Sequence, residues 1–202
     1  MLEISKQQIA TLPTAVFPGR SILIENAADA RSALAYLRRQ KILGFDTETR
    51  PSFKKGANHS VALLQLSTQD ECFLLRINKL GLTDQMIALF EDEAVMKVGL
   101  SIKDDIHSMS KVHEIHPANV VELQTFVKSY DIADNSLQKV YAIIFNERIS
   151  KGQRLTNWEA DHLTEAQQAY ASLDAYACLR IYNHLISGGF DATQSPYVAV
   201  DD

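Results

Sequence analysis

"KILGFDTETRP", residues 41–51, is an apolar run that ends abruptly in acid. Ile42, Leu43 and Phe45 have the composition of a buried strand, and Asp46 and Glu48 follow at once. Strand residues two apart share a face and stand roughly 6–7 Å apart along it. Asp46 and Glu48 therefore project side by side, while Phe45 and Thr47 face the other way. Two like charges at the edge of an apolar sheet repel each other and raise their own pKa values unless something positive lies between them. A hard divalent cation with oxygen ligands relieves that repulsion. A strand that simply runs out through a polar turn closed by Pro51 gives the same residue pattern, so the rest of the chain has to decide.

Around this strand the pattern is that of a mixed α/β sheet covered by helices. "SILIEN" reads as a strand and "AADARSALAYLRRQ" as a helix, with Ala33, Leu34 and Leu37 at core spacing. "TRPSFKKGANHS" is a turn-rich connection, after which "VALLQLS" and "ECFLLRI" are two further strands. "LTDQMIALFED" is helical with Thr83 as N-cap, and "AVMKVG" is a strand that feeds a helix from about 101 to 112. Helices are expected near 122–130 and 136–145. A long polar segment then leads to a last helix, which Thr164 and Gln167 open as a capping box and Gly188-Gly189 stop.

Two more acids lie where helical periodicity turns them inward. In "VGLSIKDDIHSM", Ile102, Ile106 and Met109 form the apolar stripe; Asp105 borders it and Asp104 points to solvent. Asp105 either serves a site or bonds locally to Lys103 or Lys111. In "LTEAQQAYASLDAYACLRIYNHL", Tyr170, Asp174, Ala177 and Ile181 share one face, which puts Tyr170 and Asp174 side by side at its polar end.

The bulk numbers set wide bounds. A chain of 202 residues suits one domain, here 21–190, with a lead-in at 1–20 and a tail at 191–202. With 46% hydrophobic and 22% charged residues it is an ordinary globular composition. No stretch reaches the roughly 20 apolar residues of a bilayer span, and the N-terminus lacks the pattern of a signal peptide. Cys72 and Cys178 are far apart, without metal-ligand spacing, and suit reduced thiols in a cytoplasmic protein. A net charge of −5 argues against a surface that coats nucleic acid throughout, but it leaves room for a local basic groove. The histidines form no metal-ligand set, and His113 and His116 are expected at the surface.

"FDTET", "VGLSIKDD" and "LTEAQQAYASLDAYACLRIY", in this order, resemble the three motifs of the DEDD superfamily of 3′–5′ exonucleases. The likeness is strongest to ribonuclease D and Werner-type exonuclease domains, and it extends through "SLQKVYAIIF" and "LTNWEA". It implies a ribonuclease-H-like mixed sheet flanked by helices on both faces. It also implies that Asp46, Glu48, Asp105 and Asp174 bind two divalent cations, Mg²⁺ or Mn²⁺, about 4 Å apart. In such a site Asp46 bridges both cations, Glu48 and Asp174 hold the one carrying the attacking water, and Asp105 supports the second, partly through water. Tyr170 orients the water; a neutral phenol of pKa ~10 is a poor base. The subgroup with His in place of Tyr carries it five residues before the last Asp, where this chain has Ala169.

The activity expected from this resemblance is hydrolysis of DNA or RNA from single-stranded or frayed 3′ ends, releasing nucleoside 5′-monophosphates. Thr47, Lys54, Lys55, Lys151 and Arg154 are the candidate substrate contacts. The alternatives are a catalytically silent nucleic-acid-binding domain and a metal-dependent hydrolase of small nucleotides. Asp161 and His162 replace the Arg-Pro that many relatives carry before the last helix, which bears on groove contacts and not on the acids. The length leaves no room for a helicase or helical accessory domain, so affinity is expected from a local groove, oligomerisation or a partner.

Overall fold

A computed structural model describes residues 1–52, 59–111 and 113–197. Six strands share one sheet: β1 (Arg20–Ile24), β2 (Ile42–Thr49), β3 (Val61–Ser67), β4 (Glu71–Leu75), β5 (Met96–Gly99) and β6 (Val120–Glu122), in the spatial order β1-β4-β3-β2-β5-β6. β3 runs antiparallel to both β2 and β4, and the pairs β1–β4, β2–β5 and β5–β6 are parallel. The short β3–β4 turn is closed by Thr68, whose hydroxyl accepts from the Glu71 amide at 3.1 Å. The helices are α1 (Lys6–Thr11), α2 (Ala27–Leu37), α3 (Ile77–Leu80), α4 (Asp84–Phe90), α5 (Ile102–Ser110), α6 (Leu123–Phe126), α7 (Leu137–Phe145) and α8 (Glu165–Ile186).

Both faces of the sheet are covered. On one, α2, α4 and α5 pack Leu34, Leu37, Met86, Phe90, Ile102 and Ile106 against Leu43, Phe45, Leu64 and Leu66. On the other, α8 lies across the strands, with α7 and the N-terminal segment outside it. α8 opens with the Thr164–Gln167 capping box and ends just before Gly188, whose φ of +73° no β-carbon-bearing residue adopts easily. Cys72 and Cys178 are buried free thiols. No helix among the described residues is long and apolar enough to cross a membrane.

One expectation is corrected. The segment 122–130 is not one helix: β6 closes the sheet edge, the four-residue α6 follows, and a 3₁₀ turn over Val127–Tyr130 ends at Asp131 with φ +60°. A three-residue strand is too short to show a period. The lead-in is also structured. Ser5 and Gln8 form a capping box for α1, Leu2 bridges to Ile132 and Thr14 to Arg148, and Leu2, Ile4, Ile9 and Ala15 are buried in the α7–α8 core.

Candidate active site

The site forms where β2 outruns its parallel neighbour. β5 pairs with β2 only from Ile42↔Met96 to Gly44↔Val98 and stops at Gly99. Ser101, with φ +62°, then turns the chain into α5. From Phe45 onward β2 keeps β3 on one edge, and the other edge is open to the start of α5. On the α8 side, Gly44 lets the helix approach: a β-carbon there would lie 2.0 Å from the Ala175 carbonyl oxygen. Asp174 precedes Ala175, so the contact that seats α8 on β2 also brings its acid to the end of the strand.

Alternation along β2 divides the acids between two neighbours. Asp46 and Glu48 face α8, and one carboxylate oxygen from each of Asp46, Glu48 and Asp174 lies within 4.8 Å of the others. Thr47 faces α5, where its hydroxyl donates to Asp105 Oδ1 at 2.7 Å. Asp105 thus stands outside the three-acid group and is tied to the strand through Thr47. Neither Lys103 nor Lys111 is its hydrogen-bond partner; Asp104 is exposed, as the helical stripe implied. The Thr47 hydroxyl, a candidate substrate contact, gives its proton to Asp105 in this structure.

Electrostatics set this cluster apart from the rest of the chain. Burial first, then Asp174, Glu48 and Asp105, hold the Asp46 carboxyl well above the usual range. Burial, with Asp174 and Asp105, pushes Glu48 up to about 9, and Arg154 opposes the shift. Burial lifts Asp174 to about 7 against a hydrogen bond from Tyr170 and the charge of Lys151. Asp105 rises to about 6 for the same first reason, opposed by the Thr47 hydroxyl. Burial and the carboxylates of Asp174 and Glu48 raise the Tyr170 phenol further, so it remains neutral. Asp174 Oδ1 is buried without a hydrogen-bond partner. Converging oxygen donors, mutual repulsion and an unpartnered lone pair fit hard divalent cations.

Beside the acids lies a cleft of about 400 Å³, lined by Leu100, Gln124, Asn135, Gln138, Lys151, Arg154, Tyr170 and Asp174, among others. The sequence singled out both basic residues, whereas Gln124, Asn135 and Gln138 left no local signal. Lys151 and Arg154 are exposed, but the segment that carries them is pinned. Gln167 Nε2 donates to Thr156 Oγ1 at 3.0 Å, Glu159 pairs with Arg50 at 3.2 Å and His59 at 3.3 Å, and Arg76 donates to the Ala160 carbonyl. Trp158, in the same segment, is fully buried with its ring 6.1 Å from that of Tyr170. A tryptophan within a polar stretch was the one sign of that anchor. Lys54 and Lys55 lie outside the described residues.

Comparison with known proteins accords with this geometry. Residues 22–187 match the family model described as 3′–5′ exonuclease. The mouse bifunctional 3′–5′ exonuclease/ATP-dependent helicase WRN is 29% identical over 190 residues, covering 86% of this chain and 13% of the mouse protein. The chain thus spans a small part of that relative's length. The Nibbler EXO domain of Aedes aegypti superposes with a TM-score of 0.76 at 20% identity, covering 90% of this chain and 97% of the other. RNase D of Trypanosoma brucei in complex with RNA U12 superposes with a TM-score of 0.73 at 16% identity, covering 84% and 63%. With the family model spanning most of the sequence and the ribonuclease-H-like sheet in place, the chain belongs to the 3′–5′ exonuclease family.

Proposed function

We propose that this domain removes nucleoside 5′-monophosphates from the 3′ ends of single-stranded or frayed nucleic acid, using two Mg²⁺ or Mn²⁺ ions. The observation that carries this reading is the convergence of Asp46, Glu48 and Asp174 within 4.8 Å beside a cleft edged by Lys151 and Arg154. When bound, the cations lower the pKa of a water and neutralise the phosphoryl oxygens. Asp46, Glu48 and Asp174 would hold them, and Asp105, fixed by Thr47, would complete the acid set. Because these carboxyls ionise late, cation binding displaces protons and tightens as pH rises. Tyr170 keeps its proton, which it donates to Asp174, and its hydroxyl oxygen would orient the attacking water by accepting a hydrogen bond from it. Lys151 and Arg154 meet the phosphates of the incoming strand. The RNA in the trypanosomal relative's structure supports a nucleic-acid strand as the occupant of the cleft.

The test is digestion of 5′-labelled single-stranded DNA and RNA with Mg²⁺ or Mn²⁺, alongside chelator and Asp174→Asn controls. A ladder shortening from the 3′ end, abolished by both controls, is the expected result. Intact oligonucleotides under every condition would reject it in favour of a silent binding domain or a hydrolase of small nucleotides.

A further inference from the structure

β3 sets Gln65 directly across from Asp46, with Leu74 of β4 on its other side. Opposed residues of an antiparallel pair point to one face with β-carbons roughly 4.5–5.5 Å apart. Leu64 and Leu66, on either side of Gln65, belong to the core beneath α2, α4 and α5, whereas Leu63 packs with Ala171 and Ala175 of α8. Gln65 therefore lies under α8, on the face that carries Asp46. It is 0% exposed, and neither its Nε2 nor its Oε1 has a hydrogen-bond partner.

A primary amide brings two donor hydrogens and two acceptor lone pairs, and burying them unpaired costs free energy that a leucine or methionine avoids. Of its neighbours on this face, Leu63 and Leu74 are apolar, and the buried Ser67 gives its hydroxyl to the Thr68 carbonyl. Its polar neighbour across the strand pair is Asp46, and the Asp174 carboxylate that shares this cluster has an unpartnered oxygen of its own. An ionised carboxylate accepts more strongly than a neutral one, and groups that orient a metal ligand in this way tune its affinity.

We infer that Gln65 is a positioning residue for Asp46: its amide N–H, unpartnered in this structure, would donate to the Asp46 carboxylate once that carboxylate ionises to hold cations, and would fix its orientation. This inference rests on the cation-dependent reading above.

The test compares wild type with Gln65→Met. Mn²⁺ binding is followed by electron paramagnetic resonance, and thermal unfolding is measured in chelator. In the variant, Mn²⁺ affinity is expected to fall by roughly 10- to 100-fold, while the melting temperature in chelator stays level or rises. Equal Mn²⁺ affinity in the two proteins overturns the inference and makes the amide a packing group only. A second measurement does not depend on the variant folding. The Gln65 side-chain amide resonances of ¹⁵N-glutamine-labelled wild type should move on Mg²⁺ addition, at concentrations that raise the melting temperature. Resonances that do not move overturn it as well. If wild type binds neither cation, the exonuclease reading fails together with this one; wild type that binds Mn²⁺ beside an unaffected Gln65→Met sinks this inference alone.

Discussion

Replacing Asp174 with asparagine separates stability from function at the acid cluster. In chelator the folded protein keeps protons that the unfolded chain has lost, because Asp105, Asp174 and Glu48 ionise near about 6, about 7 and about 9 when folded. The unfolded values are 3.8 for the aspartates and 4.5 for the glutamate, so stability falls as pH rises from about 4 to about 9. For Asp174 alone, moving from 3.8 to about 7 costs roughly 4 kcal/mol at pH 8. Asparagine keeps the shape and an acceptor for Tyr170 but removes the charge. Since the neighbouring carboxyls share the repulsion, Asp174→Asn should be about 2–4 kcal/mol more stable in chelator at pH 8, a gain of roughly 5–15 °C in Tm. The gain should shrink below half at pH 5 and vanish below about pH 4. With Mn²⁺ the gap should close and then reverse: wild type gains about 2.7 kcal/mol at a hundredfold excess over Kd and about 4.1 kcal/mol at a thousandfold, and the variant little. Circular-dichroism melts across pH, with and without Mn²⁺, read all of this. A variant that is less stable than wild type in chelator at pH 8, or whose gain ignores pH, would refute the claim that Asp174 is strained for a cation.

Gly44→Ala drives a β-carbon against the Ala175 carbonyl, so α8 must lift. We expect a loss of about 1–3 kcal/mol in stability together with weaker Mn²⁺ binding, and unchanged binding would sever the link between helix seating and Asp174. Thr47→Val removes the hydrogen bond that restrains the Asp105 carboxyl, so its pKa should climb above about 6. The Mn²⁺ needed for half-maximal digestion should rise several-fold, more at pH 6.5 than at pH 8; equal effects at both pH values would count against this account. Lys151→Ala and Arg154→Ala should raise KM with little change in kcat, each lowering the salt dependence of single-strand affinity by about 0.7 in log–log slope. An unaltered slope would take both residues off the strand's path.

How much of this was legible beforehand follows from the range of each signal. Alternation in "ILGFDTE" and the 3.6-residue period of the last helix are properties of single segments. They placed Asp46 with Glu48 and Tyr170 with Asp174, and the stripe on α5 turned Asp105 inward and Asp104 out. The capping box of Thr164 and Gln167, and the strands on either side of β2, were local in the same sense. Tertiary structure decided whatever depends on residues distant in sequence. Thr47 reaches Asp105 across 58 positions, a tether that neither segment announces by itself. The register of β3 against β2 set Gln65 opposite Asp46, although within "VALLQLS" it reads as one more strand residue. The missing side chain of Gly44 admits α8, and burial beneath that helix lifts the ionisation of the acids. Periodicity can orient a side chain on its own element. Partner, register and desolvation arise only when elements pack, and those three bring Asp174 to Asp46 and Glu48 and tie Asp105 to their strand through Thr47.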